Sequence, residues 1–475
     1  MEFIRRVAGN ARKAFRFTST GLSLKEKWRL ALPGPILSVG GVLIHNVFIK
    51  YYTDIIGLSP TMVGWVYVIY NIWNAINDPF IGVWIDKMRH RPRRGKYVYV
   101  MRVTVPFMIL SSFAMMLSSP SWDEWMIFLL YTVELFIYDT AATAYSIAYQ
   151  SYTLIAAPTK EERVDVNIIQ NYVSQGMSFL VTMIPTMLLV GDGKREVILP
   201  IFSLVILAES IFFALALRGL RDDAKMYESL ETQHFDLRDV WKEAWQIIKS
   251  RPFLSYILFS IITVGPIGFY FTPFLYYMDD VMDVSGLTAT IVDVSTHVAV
   301  LLVLPAAGYF IKKNGTKISV YWGTIAAVLG YVGIFLAPNL WLAAISYTLV
   351  VFTVNYIRTA AAPMGSLIID ENERTTGVRK TGLFNGLFSV FTVAFSSLQT
   401  VIFINIIGAY GYDGTADVQT DSAVFGIRLA AGIVPLAAVL LGLIPLALYP
   451  FDKKKEEEIS AFSGEGTGVR WAIRR

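Results

Sequence analysis

A chain of 475 residues with 55% hydrophobic and only 16% charged residues, and a mean hydropathy of +0.51, falls outside the range of soluble domains and reads as an integral membrane protein. Its net charge of +4 recurs in short loops between apolar runs, which argues against a nucleic-acid-binding patch and for a membrane topology signal. The absence of cysteine rules out disulfides and thiolate metal sites, and four histidines without ligand-like spacing give no reason to expect a structural metal.

The first 29 residues carry eight basic residues and no long apolar core, so they are expected to form a cytoplasmic arm and not a cleavable signal. Twelve apolar runs of about 20 residues, the length a helix needs to cross the hydrocarbon, follow. They are centred near residues 41, 74, 107, 137, 179, 207, 266, 299, 328, 354, 394 and 437. Lysine and arginine cluster after the even-numbered spans, as in Lys87, Arg89, Arg91, Arg93, Arg94 and Lys96 after span 2, whereas "SSPSWDEW" after span 3 has neither. The positive-inside rule therefore puts these exits and both termini in the cytoplasm. Lys194 and Arg195, between spans 5 and 6, run against the bias.

The expected organisation is an arm over 1–29, a six-helix half over 30–217, a linker over 218–252, a second half over 253–449 and a cytoplasmic tail over 450–475. In the linker, Leu237, Val240, Trp241, Ala244, Trp245 and Ile248 recur at helical spacing behind Asp236 as N-cap, which predicts an amphipathic helix. The halves echo each other. "YYTDIIGLS" from Tyr51 matches "YYMDDVMDVS" from Tyr276 with one inserted residue, and "PFIGVWIDK" from Pro79 matches "PAAGYFIKK" from Pro305, at offsets of 225 and then 226. Two related halves suit a transporter whose site lies between parts that rock about it. Asp78 has no twin, because Leu304 stands at the matching position.

An ionised carboxylate in hydrocarbon is costly, by about 2.5–3.5 kcal/mol on insertion scales, so Asp78 should face the interior. Trp73, Asn74, Asn77 and Asp78 share its helical face, and that face is a candidate cation pocket.

The segments "KYYTDIIGLS", "IWNAINDPFIGVWID" and "RRGKY" between Lys50 and Tyr97, followed by "KEERVDVN", "TTGVRKTGLFNG" and "GAYGY", resemble the glycoside-pentoside-hexuronide:cation symporters. This is the melibiose permease group of the major facilitator superfamily. The resemblance implies an all-α fold of twelve transmembrane helices in two pseudo-symmetric halves, and cation-coupled symport of a sugar, glycoside or related small solute by alternating access. It implies a cation site of two carboxylates one turn apart on span 2, an asparagine beside them and a threonine on span 4. Asp78, Asn77 and Thr143 match that pattern, whereas Asn74 replaces one carboxylate. One carboxylate favours a proton over sodium as coupling ion, because sodium prefers several oxygens with compensating charge and a lone desolvated carboxylate carries a proton reversibly. The family's sugar-binding positions, an aspartate in span 1, an aspartate and a tryptophan in span 4 and basic residues in spans 5 and 11, fall on Ser38, Ser146, Gln150, Asn171 and Val393, so none of its charges is kept. The superfamily signature between spans 2 and 3 implies a cytoplasmic gate with Asp86, Arg94 and Lys96.

Further candidates for the solute site come from the chain's own intramembrane polar residues. Asp139 and Ser146 lie two turns apart on one face of span 4, with Tyr145 and Tyr149 near it, and Arg358 in span 10 is suited to a carboxylate or phosphate. Asp293 and His297, four apart, can pair with each other. His45, Glu134 and Asn355 are further intramembrane candidates; for Arg102, Lys50 and Glu209, snorkelling or packing is the better account.

No nucleophile–base constellation or phosphate loop points to an enzyme. The expected partners are a small solute, a coupling cation (H+ or Na+) and the lipid bilayer, with no other cofactor and no nucleic acid. The chain is expected to act as a multi-pass monomer in the cell membrane. An uncoupled facilitator, a carrier of lipid-like amphiphiles and a non-transporting sensor on the same scaffold are the alternative readings.

Overall fold

The computed structural model describes residues 22–35, 44, 47–88, 95–157, 160–191, 195–220, 237–377, 383, 384, 387, 388, 391, 392, 398–416 and 418–466. Every regular element among these residues is a helix, as hydrocarbon requires of a chain that must satisfy its backbone within each span. Eight described helices are long and apolar enough to cross a membrane, and Leu398–Ala409 is a shorter apolar helix. Large apolar side chains such as Leu110, Leu204, Leu302 and Trp341 are exposed on these helices, and the bilayer is the solvent that accounts for them.

Side-chain caps start the helices where the loops end. Asp123 accepts from the Trp125 N–H ahead of Glu124–Ala156, and Asn339 accepts from the Leu342 N–H ahead of Leu340–Thr376. Ser23 and Glu26 close a capping box on Leu24–Ala31, which satisfies two of the unpaired amides of that helix start. The linker helix forms over Leu237–Lys249. Its predicted cap, Asp236, lies outside the described residues. Ala244 and Ile247 are buried, while Trp245 stays exposed with the Lys249 ammonium 4.8 Å from its ring centre.

Contacts divide the chain into two compact units, one of residues 1–48, 76–185 and 194–232, the other of 49–75, 186–193 and 233–475. In the first, Tyr97–Leu117 and Glu124–Ala156 form an antiparallel hairpin, with Arg195–Arg218 against the former. Lys27 reaches Asp165 at 2.7 Å and the Leu22 N–H donates to Glu162 at 2.8 Å, which ties the arm's helix to the start of Lys160–Leu189. In the second, Thr316–Leu336 packs along Leu340–Thr376. Gly330 permits the close approach, since a Cβ there would stand 3.1 Å from the Val350 backbone nitrogen.

The sequence repeat is also a backbone repeat. Tyr51–Ile55 and Tyr277–Val281 each widen into a π-helical turn. Ile56 N–H donates to Tyr51 O at 3.1 Å and Met282 N–H to Tyr277 O at 3.0 Å; Leu58 N–H donates to Tyr52 O at 2.9 Å and Val284 N–H to Met278 O at 3.2 Å. Gly57 and Asp283 both take positive φ, 79° and 50°. All these pairs stand at the offset of 226, so Tyr51 corresponds to Tyr277 and not to Tyr276, and Asp54 corresponds to Asp280.

Candidate functional site

Asp78 lies in Pro60–Lys87, a helix that begins with a proline, where the missing amide costs nothing. Its carboxylate is half-buried and accepts a hydrogen bond from the Thr143 hydroxyl of Glu124–Ala156 at 2.8 Å. Asn77, one residue earlier, is buried and donates its amide to Asp139 at 3.3 Å. Spans 2 and 4 are thus joined within one compact unit by two neighbouring side-chain contacts, each ending on a carboxylate. Asn74 lies one turn earlier, with its amide 3.5 Å from the Tyr70 hydroxyl.

The proposed solute residues divide. Gln150 is exposed and donates to the Ser146 hydroxyl at 3.0 Å, leaving amide and hydroxyl capacity on one face of span 4. Tyr145 and Tyr149 are buried, and their hydroxyls donate to the Pro33 and Leu30 carbonyls at 2.9 and 2.8 Å. They brace the segment after the arm. Ser38, Arg94, His45 and Val393 lie outside the described residues; Asp86 and Asn171 belong to Pro60–Lys87 and Lys160–Leu189, with side chains outside the described set. Lys96 is buried with its ammonium 4.8 Å from the Tyr97 ring centre.

Lys50 is not a snorkelling residue. It is fully buried, its ammonium pairs with Asp54, and it stands 2.7 Å from Asp279 and 3.5 Å from Asp280. The Tyr412 hydroxyl donates to Asp54 at 2.9 Å, Thr53 donates to the same carboxylate at 2.6 Å, and the Gly191 N–H donates to Asp279 at 2.6 Å. Every member belongs to the second compact unit, yet Lys50 and Asp54 come from the first sequence half and Asp279, Asp280 and Tyr412 from the second. Acidic residues in both copies of the repeated turn, with a lysine beside one, were the available signal for this cluster.

In the same unit Asp293 is buried, accepts from the Tyr347 hydroxyl at 3.0 Å and lies 3.4 Å from His297 Nδ1. The expected pairing of Asp293 and His297 is present, with Tyr347 as a further partner. Arg102 donates to the Leu217 carbonyl at 3.3 Å, near the end of Arg195–Arg218.

The profile of the family described as MFS/sugar transport protein matches residues 31–453. The chain belongs to that family. It is similar to an uncharacterized symporter of Bacillus subtilis, with 22% identity over 87% of this chain and 88% of the relative. It is also similar to the glucuronide carrier protein homolog of Escherichia coli, with 21% identity over 86% of this chain and 89% of the relative. The sodium-dependent lysophosphatidylcholine symporter 1 of Xenopus tropicalis is 21% identical over 92% of this chain and 89% of its own length. Among solved structures, a bacterial homolog of the human lysosomal transporter Spinster superposes with a TM-score of 0.65 at 12% identity, covering 93% of this chain and 99% of that one. At that identity the likeness speaks for the fold, which is that of the major facilitator superfamily. As a member of the MFS/sugar transport family, the chain is an integral multi-pass membrane transporter and not an enzyme.

Proposed function

We propose that the chain couples the movement of a small organic solute, a sugar, glycoside or related compound, to a cation taken up at Asp78. The observation that carries this is the Thr143 hydrogen bond to Asp78 at 2.8 Å. It gives a half-buried carboxylate a polar partner on a second span, where only the resemblance to cation symporters suggested one. The proton is the favoured ion. Asn74 stands where a second carboxylate would complete a sodium site, and the Asn77 amide is turned toward Asp139. Protonation of Asp78 removes its charge and favours the state that accepts solute, since coupling requires an ion with different affinity for the two states. Asp139, Ser146 and Gln150 offer hydroxyl-binding groups on span 4, with Asn171, Ser38, Tyr145 and Tyr149 as the remaining residues of this proposal and Arg358 as its contact on span 10. Asp86, Arg94 and Lys96 are proposed as the cytoplasmic gate.

A lipid-like amphiphile is the second reading. An open apolar recess lined by Ile261, Phe269, Leu398, Phe403, Val434 and other side chains of the second unit favours it. The test is uptake into proteoliposomes from a pool of glycosides, pentosides, uronates and lysolipids under a proton gradient, a sodium gradient or neither. Proton-driven accumulation of a sugar-like solute supports the proposal. Sodium-driven accumulation replaces the ion, equilibration without accumulation makes the chain a facilitator, and accumulation of the lysolipid alone supports the second reading. A lack of flux with every compound favours a sensor.

A further inference from the structure

Arg358 lies on Leu340–Thr376, opposite the middle of the seventh span. Its guanidinium sits over Gly268, where that span breaks between short helices, and any side chain at Gly268 would overlap it. The arginine is exposed, and among the described residues no hydrogen bond or ion pair reaches it. A charged group at this height is costly unless it faces water, a partner or a ligand.

The helix shows which. Arg358, Thr359, Ala362, Pro363 and Ser366 are exposed and Asn355 is half-exposed, at the three- and four-residue spacing of one helical face. That face is small and polar. By contrast, Trp341, Leu342 and Ile345, exposed earlier on the same helix, are large and apolar. Along the helix the exposed positions thus change from large and apolar to small and polar, and the stretch around Arg358 is read as bordering an aqueous path.

Nearby acids do not neutralise Arg358. Asp293 is occupied by Tyr347 and His297. Asp370 and Glu371 lie twelve or more residues farther along, over three helical turns away. Tyr270, half-buried with its hydroxyl 3.5 Å from His297 Nε2, and the buried Tyr331 are further hydroxyl groups of the same unit.

We infer that Arg358 binds an anionic group, a carboxylate or phosphate, on the transported solute, so that the substrates are acidic and neutral sugars are disfavoured. A guanidinium fork without a protein acid matches either group bidentately. The inference rests on the transport proposal and names its substrate class.

Binding to the purified full chain in detergent tests it apart from transport. The probes are p-nitrophenyl glucuronide for a carboxylate, glucose 6-phosphate for a phosphate, and p-nitrophenyl glucoside as the uncharged counterpart. The expected result is that one acidic probe binds the unaltered protein at least about tenfold more tightly than the glucoside. Arg358→Gln should then weaken that acid by about tenfold to a hundredfold, with little effect on the glucoside. Which acid binds identifies the source of the charge. Glucoside binding as tight as that of both acids overturns the inference whether or not Arg358→Gln folds, and so does an Arg358→Gln variant with unchanged thermal midpoint and unchanged affinities. Acid binding without uptake into proteoliposomes keeps the inference and refutes the transport proposal. Gradient-driven uptake of the glucoside that is indifferent to Arg358→Gln does the reverse.

Discussion

Replacing the buried Lys50 with methionine removes the only cation found among the described residues of a cluster that keeps its three half-buried acids. Asp54, Asp279 and Asp280 each bring an oxygen within 4.8 Å of the others. Two ionised carboxylates at that distance repel by roughly 3.5 kcal/mol at an effective dielectric constant of 20. Proton uptake relieves part of this, and removing one partner of a buried ion pair costs about 3–5 kcal/mol in net terms. The hydrogen bonds from Thr53, Tyr412 and Gly191 to the same acids do not replace the charge. The stress falls on the contact between the two repeated turns, so a state in which residues 51–58 part from 277–284 should gain by roughly two to four powers of ten. The chain has no cysteine, so a Leu58→Cys variant carries a single thiol at a buried position of the first turn. Its labelling by a membrane-impermeant maleimide should be slow with Lys50 present and at least about a hundredfold faster with Lys50→Met. Adding Asp279→Asn should recover part of the protection by removing one repelling charge. Equal labelling rates and equal thermal midpoints with and without Lys50 would show that the cluster holds nothing together.

Thr143→Val keeps the shape of the side chain and removes the donor to Asp78; because that donor favours the ionised carboxylate, its loss should raise the apparent affinity for a coupling proton by about tenfold to a hundredfold, read from the pH dependence of uptake, since hydrogen bonds to charged groups contribute about 1.5–3 kcal/mol, whereas a weakened ion affinity would point to sodium held in part by the hydroxyl. Glu456→Ala removes the carboxylate that accepts from the Thr316 amide at 3.1 and 3.2 Å and from its hydroxyl. The start of Thr316–Leu336 then loses a cap, which should lower stability by about 1–2 kcal/mol, seen as a lower thermal midpoint in detergent with uptake otherwise intact.

Much of the frame was legible because a bilayer imposes simple rules on sequence. Apolar runs of the right length located the spans, and the eight long apolar helices among the described residues fall within that expectation. The repeat was visible in "YYTDIIGLS" and "YYMDDVMDVS". Its register was not, because tyrosine at 276 and 277 allows two alignments and only the hydrogen bonds of the turns choose between them. Thr143 was reached through the family resemblance alone, and the structure puts its hydroxyl on Asp78.

Lys50 was misjudged for a physical reason. Asp54 is four residues on, but the other partners, Asp279 and Asp280, are more than 200 residues away in sequence, and a lysine at the end of an apolar run looks like a snorkelling one until tertiary contacts bring those acids to it. Tyr145 and Tyr149 share the face near Asp139 by periodicity. Periodicity does not reveal that the backbone carbonyls of Pro33 and Leu30 take up their hydroxyls. Periodicity places Asn77 beside Asp78, but it does not reveal that its amide nitrogen donates to Asp139 on the neighbouring span.

The central claim is that coupling enters at Asp78, and the most direct test is to follow external pH when a solute that the protein accumulates is added to proteoliposomes. Unaltered protein should alkalinise the medium as protons enter with solute. Asp78→Asn should abolish that signal while still exchanging labelled for unlabelled solute across the membrane, because the side chain keeps its size and loses only its titratable charge. An Asp78→Asn variant that alkalinises the medium and accumulates solute like the unaltered protein would contradict the account.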